Sequence, residues 1–268
     1  MTTIRKLCLL FFAIIFVLGC TEKKKPLHIG FISAANEYVT HITLNDYKDQ
    51  LLKKYPDIKI SVLQGSGPVN AKDEFSELQG TEVLKECDVV LVFARRTTFS
   101  GKALEDIRSY LDGGKPFVAL RTASHGFQGW PEFDSLVLGG NYQGHYEGEP
   151  EKRIDSVGKK FPVGEPTGEE QSVTVNAAEK DHPVLKGITD FKSKYSLYKT
   201  SPLAQNTTLL LTGATSEGKE PVAWTREYKG GRLVYIALGG LQDWKNPVFE
   251  QLVTNALFWV TDRSADIK

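Results

Sequence analysis

The residues best suited to chemistry follow a short apolar run in the middle of the chain. The run starts at Pro116 and predicts a buried strand, and residues 119–127 continue it as ALRTASHGF. Many hydrolases place a nucleophile between two small residues at such an elbow. Here Ala119 and Ala123 flank Arg121, which cannot attack a carbonyl carbon but offers a planar set of donors to carboxylate, phosphate or hydroxyl oxygens. Arg121 is therefore predicted to bind a substrate, the alternative being an ion pair that ties loops together.

The imidazole four residues after Arg121 could move protons. His125 can act as an acid, a base or a ligand near neutral pH. Ser124 precedes it directly, but adjacent side chains usually diverge, and the chain contains no Gly-x-Ser-x-Gly. A serine hydrolase is therefore not favoured, and His125 is predicted to be a catalytic residue in its own right.

A second dense patch has the sequence GGNYQGHYEG at residues 139–148. Its glycines allow tight turns, and its side chains suit a sugar, since Tyr142 could stack on a pyranose face while Asn141 bonds to hydroxyl groups. His145 is the second predicted catalytic residue. The alternative is a surface loop without a ligand.

The same patch also permits a metal site. His125, His145 and Glu147 are the candidate ligands for a divalent metal such as zinc, which accepts imidazole and carboxylate. No dense motif such as His-Glu-x-x-His is present. The sequence therefore leaves the presence of a metal open.

Strand and helix patterns alternate through the first half, which predicts parallel strands in a doubly wound α/β sheet. Ligands bind outside the carboxyl ends of such strands. Arg95 ends one strand, and Asn36 and Glu37 follow another, so all three are predicted to bind substrate beside Arg121. The predicted strands are 27–32, 58–63, 88–93 and the run from 116, and the predicted helices are 45–55, 81–86 and 103–111.

The second half of the chain has a different pattern. Residues 139–166 are predicted to form long loops, and the short apolar runs after them predict an antiparallel extension that ends in a helix at 246–260. Asp243 and Trp244 follow the last strand and are predicted to reach the same substrate site. The predicted strands here are 172–175, 209–211, 222–224 and 232–236.

The N-terminus has the pattern of a secretory signal. Two basic residues precede an apolar run at 7–18 that is short for a membrane span, and Val-Leu-Gly-Cys resembles a bacterial lipobox ending at Cys20. We predict a signal peptide at 1–19, lipidation of Cys20, a tether at 20–26 and one domain at 27–262. The expected location is periplasm-facing or at the outer membrane, and the alternative is a plain signal peptide.

The bulk composition excludes several classes of protein. The chain has 268 residues, 41% of them hydrophobic and 25% charged, which is typical of a globular protein. Its formal net charge is zero, so no nucleic-acid partner is predicted. If Cys20 carries lipid, Cys87 is the free thiol of the mature chain and no intramolecular disulfide is expected.

Several of these motifs, taken in order, resemble the trehalose-utilisation, or ThuA-like, family. They are Asn36-Glu37-Tyr38, LRTASH at 120–125, GGNYQGH at 139–145, HPVLKGI at 182–188 and WTREYKGGR at 224–232. The resemblance implies the flavodoxin-like fold of the class I glutamine amidotransferase-like superfamily and a role in carbohydrate metabolism. It does not imply glutaminase activity, because Arg121 occupies the position of the amidotransferase cysteine.

Two functions remain in view. The first is an enzyme that acts on a sugar or a modified glycoside, with arginines that bind it and histidines that move protons. The second is a carbohydrate-binding lipoprotein of an uptake or degradation system. Two histidines near one edge favour the enzyme, and the lack of a paired-carboxylate pattern favours binding. The oligomeric state does not follow from the sequence.

Overall fold

The computed structural model describes residues 25–67, 75–147 and 168–268, so the predicted signal peptide and Cys20 lie outside the described residues. The helices are α1 (Thr40–Lys54), α2 (Gly101–Asp112) and α3 (Pro247–Val260). The strands are β1 (His28–Ala34), β2 (Lys59–Ser66), β3 (Glu77–Leu78), β4 (Val89–Ala94), β5 (Phe117–Leu120), β6 (Gln171–Val175), β7 (Phe191–Ser193), β8 (Thr207–Ala214), β9 (Lys219–Tyr228) and β10 (Gly231–Ile236).

In the described part of the chain these strands form one sheet in the order β3-β2-β1-β4-β5-β10-β9-β8-β6-β7. In this spatial order, the neighbours β2 and β1, β1 and β4, β4 and β5, and β5 and β10 pair in parallel. The strands on the far side of β10 pair antiparallel, as β3 does with β2. This mixed sheet confirms the predicted α/β fold with an antiparallel second half.

The central strands are apolar because they are covered on both faces. Every residue of β1, β4 and β5 is buried, which explains their continuous hydrophobic runs. β2 lies nearer the edge of the sheet and keeps partly exposed positions. β4, in contrast, is apolar at every position.

The helix boundaries follow local chemistry. Pro247 opens α3, and the Asn246 side chain accepts a hydrogen bond from the amide of Val248 at 3.0 Å, which caps the helix. α1 begins at Thr40, earlier than the predicted 45, directly after Val39 in a left-handed conformation. The predicted helix at 81–86 is a 3₁₀ turn. None of the helices in the described ranges is both long and apolar enough to span a bilayer.

Helices α1 and α3 pack against each other beside the sheet. The hydroxyl of Tyr47 on α1 lies 2.9 Å from that of Thr254 on α3. The indole of Trp244, just before α3, packs on the Tyr47 ring with 5.0 Å between ring centres. These contacts fix the loop after β10 relative to helix α1.

Cys87 is buried at the amino end of β4, as predicted. Burial raises the pKa of its thiol to about 11, so it stays protonated near neutral pH and is a poor nucleophile. Its sulfur would lie 3.0 Å from a Cβ placed on Gly30. Cys87 is therefore a packing residue of the core.

Candidate functional site

The loops at the carboxyl ends of β1, β4 and β5 share an unusual backbone feature. Each contains a residue other than glycine with positive φ, namely Val39 at 46°, Arg96 at 46° and Arg121 at 39°. Such conformations cost about 1–2 kcal/mol each and cluster at functional sites. The strain at three adjacent strand ends marks this edge of the sheet as the candidate site.

Arg121 lies beneath this edge instead of on its surface. The residue is 0% exposed, and its three nitrogens donate to the Tyr38 hydroxyl at 2.9 Å, the Ala237 carbonyl at 3.0 Å and the Ser196 carbonyl at 3.3 Å. Its guanidinium carbon also lies 4.3 Å from the ring centre of Tyr198. The predicted tight elbow is present, but the position of Arg121 corrects the expectation that this guanidinium meets a ligand at the rim, because its bonded donors face protein oxygens.

Removing the Arg121 guanidinium is expected to destabilise the fold. Arg121→Met keeps much of the volume but leaves two buried carbonyls and a hydroxyl without their donor, and each lost partner costs about 1–3 kcal/mol. Relief of the buried charge offsets part of that cost, so we expect a net loss of about 2 kcal/mol in urea unfolding. Arg121→Lys restores one donor and should lose less. A methionine variant as stable as wild type would contradict this supporting role.

A cavity of about 370 Å³ opens where the chain leaves β5. Its wall combines aromatic rings with hydroxyl, amide, carboxyl and imidazole groups. This mixture of flat apolar faces and a few polar groups is typical of small-molecule sites. The lining residues are Ser124, His125, Phe127, Gln128, Trp130, Pro131, Phe133, Asp134, Ser135, Asn141 and Tyr142.

His125 is held in this wall from two sides. Its Nδ1 lies 3.2 Å from the Ser124 hydroxyl oxygen, and its ring stacks on that of Tyr142 with centres 4.4 Å apart and planes 15° apart. The expectation that Ser124 and His125 diverge was wrong, because the 3₁₀ turn at Arg121–His125 brings both side chains to the same wall. The serine hydroxyl also lies 3.4 Å from the Arg121 carbonyl oxygen, so it has two acceptors within reach.

The environment keeps the imidazole neutral. Burial, followed by the positive charges of Arg95, Arg96 and Arg121, lowers the pKa of His125 to about 3. Near neutral pH the ring therefore carries one N–H and one lone pair. A neutral imidazole donates a hydrogen bond to a carbonyl or hydroxyl oxygen without bringing charge into the cavity.

Asp134 is a site residue that the sequence analysis missed. Burial raises the pKa of its carboxyl to about 6, against the effect of the Tyr142 amide, which donates to Oδ2 at 2.7 Å. A Cβ on Gly140 would lie 2.6 Å from Oδ1, so glycine is needed there. The signal for this residue was an acid in the apolar run FDSLVL, directly before Gly139 and Gly140.

Tyr142 links the two titratable groups of the cavity. Its backbone N–H holds the Asp134 carboxylate, and its ring covers one face of His125. Asn141, the residue before it, lines the cavity and donates from Nδ2 to the Ser201 carbonyl at 2.9 Å. Two residues predicted to bind a sugar are therefore built into the cavity wall.

Three other predicted residues belong to the loops after β1 and β4. Arg95 forms an ion pair with Glu37, with Nη2 and Oε2 2.7 Å apart, and Asn36 begins the same short turn as Glu37. The charge of Arg95 acts on the pKa of His125. The ion pair joins the loop after β1 to the loop after β4, and the role of Asn36, Glu37 and Arg95 in binding substrate stays a prediction.

His145 lies further out on the same side. It is exposed, its Nδ1 is 3.2 Å from the Tyr146 carbonyl oxygen, and its ring centre lies 6.5 Å from that of Tyr198. It is near enough to act electrostatically on His125, but it does not line the cavity. Within the described ranges, no three His, Cys, Asp or Glu residues are grouped as metal ligands. The role of His125, His145 and Glu147 as metal ligands stays a prediction.

Asp243 and Trp244 are placed differently from the prediction. Asp243 is 3% exposed, and its Oδ2 accepts from the amides of Gly239 and Gly240, both at 2.9 Å. The Trp244 indole donates to the Gly239 carbonyl at 3.1 Å and lines a separate cavity of about 420 Å³ beside α1. These residues stabilise the loop after β10 and do not line the cavity that contains His125, because the loop turns back to start α3.

The described geometry can be compared with known proteins. The family model described as "ThuA: Trehalose utilisation" matches residues 37–260. The chain belongs to the ThuA family. No curated protein matches it.

Solved structures share the fold of this ThuA-family chain. A putative ThuA-like protein from Bacteroides uniformis is 18% identical, with a TM-score of 0.60, 90% of this chain and 94% of that chain covered. One from Parabacteroides merdae is also 18% identical, with a TM-score of 0.63 and coverage of 88% and 90%. A β-galactosidase from Rahnella sp. R3 is 14% identical, with a TM-score of 0.54, 90% of this chain and 32% of that chain covered.

Proposed function

We propose that this ThuA-family chain is an enzyme of carbohydrate metabolism that binds a sugar or a modified glycoside in the cavity beside β5. The observation that carries the proposal is the placement of His125, Asp134 and Tyr142 in one wall of that cavity. Family membership supports the link to carbohydrate use.

The cavity wall suits a polyhydroxylated ring. The partly exposed Tyr142 ring and the 6% exposed Trp130 ring line the cavity, and Gln128, Asn141 and Asp134 offer amide and carboxyl groups for hydroxyls. Trp130 is backed by Arg108, whose guanidinium carbon lies 4.6 Å from the ring centre. That support holds the indole in place, which favours binding because less side-chain motion is lost.

Asp134 would accept a proton, and His125 would bind a substrate oxygen beside it. A useful acid–base pair consists of two groups whose surroundings shift their pKa values in opposite directions. The surroundings do this here, since burial and the nearby arginines lower the pKa of the imidazole to about 3, and burial raises that of the carboxyl to about 6. Near neutral pH Asp134 is a carboxylate of raised basicity, suited to accept a proton, while neutral His125 donates a hydrogen bond to substrate oxygen.

Glutaminase chemistry is not part of the proposal. The elbow position after β5 holds Arg121, whose guanidinium is no nucleophile. We also assign the parallel strands to a doubly wound, flavodoxin-like arrangement, which the order β2-β1-β4-β5-β10 supports. Lipidation of Cys20, and with it a location facing the periplasm or at the outer membrane, stays a proposal from the sequence.

The test separates binding from turnover. The full-length chain is screened against neutral and modified mono- and disaccharides by calorimetry and by product analysis, alongside Asp134→Asn, His125→Asn and Trp130→Ala. We expect Trp130→Ala to weaken binding about tenfold, as loss of an aromatic platform would. We expect Asp134→Asn and His125→Asn to keep binding within a few-fold and to lower kcat at least about 100-fold.

The outcomes decide between the two functions. Unchanged turnover in Asp134→Asn and His125→Asn would remove Asp134 as the proton acceptor and His125 as the hydrogen-bond donor to substrate. Tight binding by the wild-type chain with no product from any sugar would favour the alternative, a carbohydrate-binding protein of an uptake or degradation system. The absence of a nucleophile at Arg121 is the observation that keeps this alternative in view.

A further inference from the structure

Part of the cavity wall comes from a segment that belongs to none of the ten strands. Asn141 and Tyr142 line the cavity, and both lie in residues 138–146, here called the wall segment. Backbone hydrogen bonds join it to residues 197–201, among them the bond from the Asn141 amide to the Thr200 carbonyl at 3.1 Å. The position of this wall therefore depends on what holds residues 197–201.

One carboxylate on β9 bonds to both segments. Oε2 of Glu220 accepts from the amides of Thr200 and Ser201, at 3.1 Å and 2.9 Å. Its Oε1 accepts from the hydroxyl of Tyr146, in the wall segment, at 3.3 Å. Glu220 is 7% exposed, and a carboxylate removed from water in this way needs such donors. These three hydrogen bonds attach the two segments to the sheet.

The same face of β9 also holds the start of the wall segment. Trp224 lies four residues after Glu220, so both side chains leave the strand on one face. The Trp224 indole donates to the Leu138 carbonyl at 2.7 Å. At the other end, a Cβ on Gly218 would lie 2.7 Å from the Tyr146 hydroxyl oxygen, so glycine leaves room for the bond to Glu220. The wall segment is therefore attached to β9 at both ends.

The contacts between the wall segment and the two titratable groups of the cavity depend on this attachment. The Tyr142 ring stacks on His125 with centres 4.4 Å apart, and the Tyr142 amide donates to Asp134 at 2.7 Å. On its other side, the Tyr142 ring has its centre 4.8 Å from that of Tyr198, which belongs to residues 197–201. A shift of either segment would therefore move Tyr142 relative to both groups.

We infer that Glu220 is a positioning residue of the cavity, which sets the place of Tyr142 through the hydrogen bonds that it accepts. This rests on the proposed function and adds a residue to its site. Glu220 does not line the cavity, so it acts through the wall segment and not on the substrate. Hydrogen bonds from backbone amides to a carboxylate are stronger than those between neutral groups, which suits a fixed attachment.

The experiment reads the His125 imidazole in the ligand-free chain. An aromatic ring shifts the NMR signals of protons stacked over it, so the signals of the His125 ring report the position of Tyr142. The full-length chain in detergent carries isotope-labelled histidine, and His125→Asn identifies this signal among the five histidines. We expect Glu220→Leu to shift the His125 signal away from its wild-type position.

The conservative variant is expected to restore that position. In Glu220→Gln the side-chain carbonyl can still accept from the amides of Thr200 and Ser201, and its NH₂ group can donate to the Tyr146 hydroxyl oxygen. The His125 signal should therefore stay near its wild-type position. Tyr146→Phe removes one of the three donors, so it should shift the signal less than Glu220→Leu and in the same direction.

Two controls separate positioning from general destabilisation. Glu227→Leu changes an exposed acid on the same strand and should leave the His125 signal unchanged. Thr254→Val removes the buried hydroxyl that lies 2.9 Å from the Tyr47 hydroxyl between α1 and α3. It should lower the free energy of unfolding, measured with urea, and leave the His125 signal unchanged.

These spectra decide the inference without a sugar, so the proposed function stands or falls separately. An unchanged His125 signal in Glu220→Leu would overturn the inference, and Tyr146→Phe decides in the same way if the leucine variant does not fold. An equal shift in Thr254→Val, or a shift in Glu220→Gln as large as that in Glu220→Leu, would also overturn it.

Turnover provides a second measurement once the screen has identified a sugar. Glu220→Leu should then lower kcat at least about tenfold, because a displacement of about 1 Å in a site can cost about 100-fold. Glu220→Gln should restore most of that loss. An unchanged kcat in a folded Glu220→Leu variant would overturn the assignment of Glu220 to the site.

Discussion

Between about pH 6.5 and pH 3 the protein is expected to lose about 5 kcal/mol of its free energy of unfolding through His125 alone. The pKa of this imidazole is lowered from 6.5 to about 3 in the folded state, by burial and by Arg95 and Arg96. The unfolded chain takes up the proton near pH 6.5, whereas the folded chain resists it until about pH 3. The contribution of His125 to the free energy of unfolding is therefore fully present above the unfolded-state pKa of 6.5, and it falls as the pH drops from there to about 3.

The His125→Asn variant isolates this contribution. Asparagine keeps a polar atom near the position of Nδ1, facing Ser124, but does not titrate. Urea unfolding at about pH 7 and about pH 4 should show wild type losing about 3 kcal/mol more than the variant. Gln128→Asn, a change in the same cavity that does not alter a titrating group, should follow wild type. Parallel losses in His125→Asn and wild type would mean that the folded chain accommodates the charged imidazole.

The strands of the parallel half were predictable because burial on both faces leaves a simple trace. Every position of β4 is buried, so its sequence VVLVFA is apolar throughout. The predicted boundaries differ from the structure by a few residues because the ends of strands and helices depend on caps and turns. The clearest case is α1, whose start depends on the left-handed backbone of Val39, which no side-chain pattern reports.

The burial of Arg121 could not be predicted from nearby residues. Its partners Tyr38, Ser196 and Ala237 lie 83, 75 and 116 positions away in the sequence. An arginine at a strand end usually faces water, and the protein acceptors that allow it to be buried come together only after the sheet has formed. The prediction located the elbow correctly, but it placed the Arg121 side chain at the surface of the site, whereas this side chain is buried beneath it.

Asp134 was missed for the opposite reason. It lies in an apolar run whose neighbours Phe133, Val137 and Leu138 are buried, so the segment has the pattern of a core helix with one polar position.

Trp244 was predicted to reach the substrate site because it follows β10 in the sequence. Its indole N–H bonds to the Gly239 carbonyl instead, which directs the ring toward α1.

Asp134 is expected to have the second large effect on the free energy of unfolding, and this effect depends on pH in the opposite direction to that of His125. Burial raises the pKa of this carboxyl from 3.8 to about 6, so folding favours the protonated form. The contribution to stability is fully present below about pH 4 and is lost as the pH rises through about 6. Over this window wild type should lose about 3 kcal/mol through Asp134, at the same time as it gains stability through His125.

Asp134→Asn is therefore expected to be more stable than wild type by about 2–3 kcal/mol near pH 7, and no more stable near pH 4. The amide oxygen can still accept the hydrogen bond from the Tyr142 amide, while the charge that burial disfavours is gone. Urea unfolding at the two pH values measures the difference, and Asp49→Asn, at an exposed carboxylate on α1, should change stability by less than about 0.5 kcal/mol.

Stability and turnover should move in opposite directions in this variant. A buried carboxylate that weakens the fold near neutral pH is expected where its charge is needed for function. An asparagine variant that is stabilised and loses turnover would show that the chain keeps Asp134 for its chemistry. A variant that is less stable near pH 7 would instead mean that the ionised carboxylate gains more from the Tyr142 amide than it loses by burial, and Asp134 would then be a structural residue of the loop.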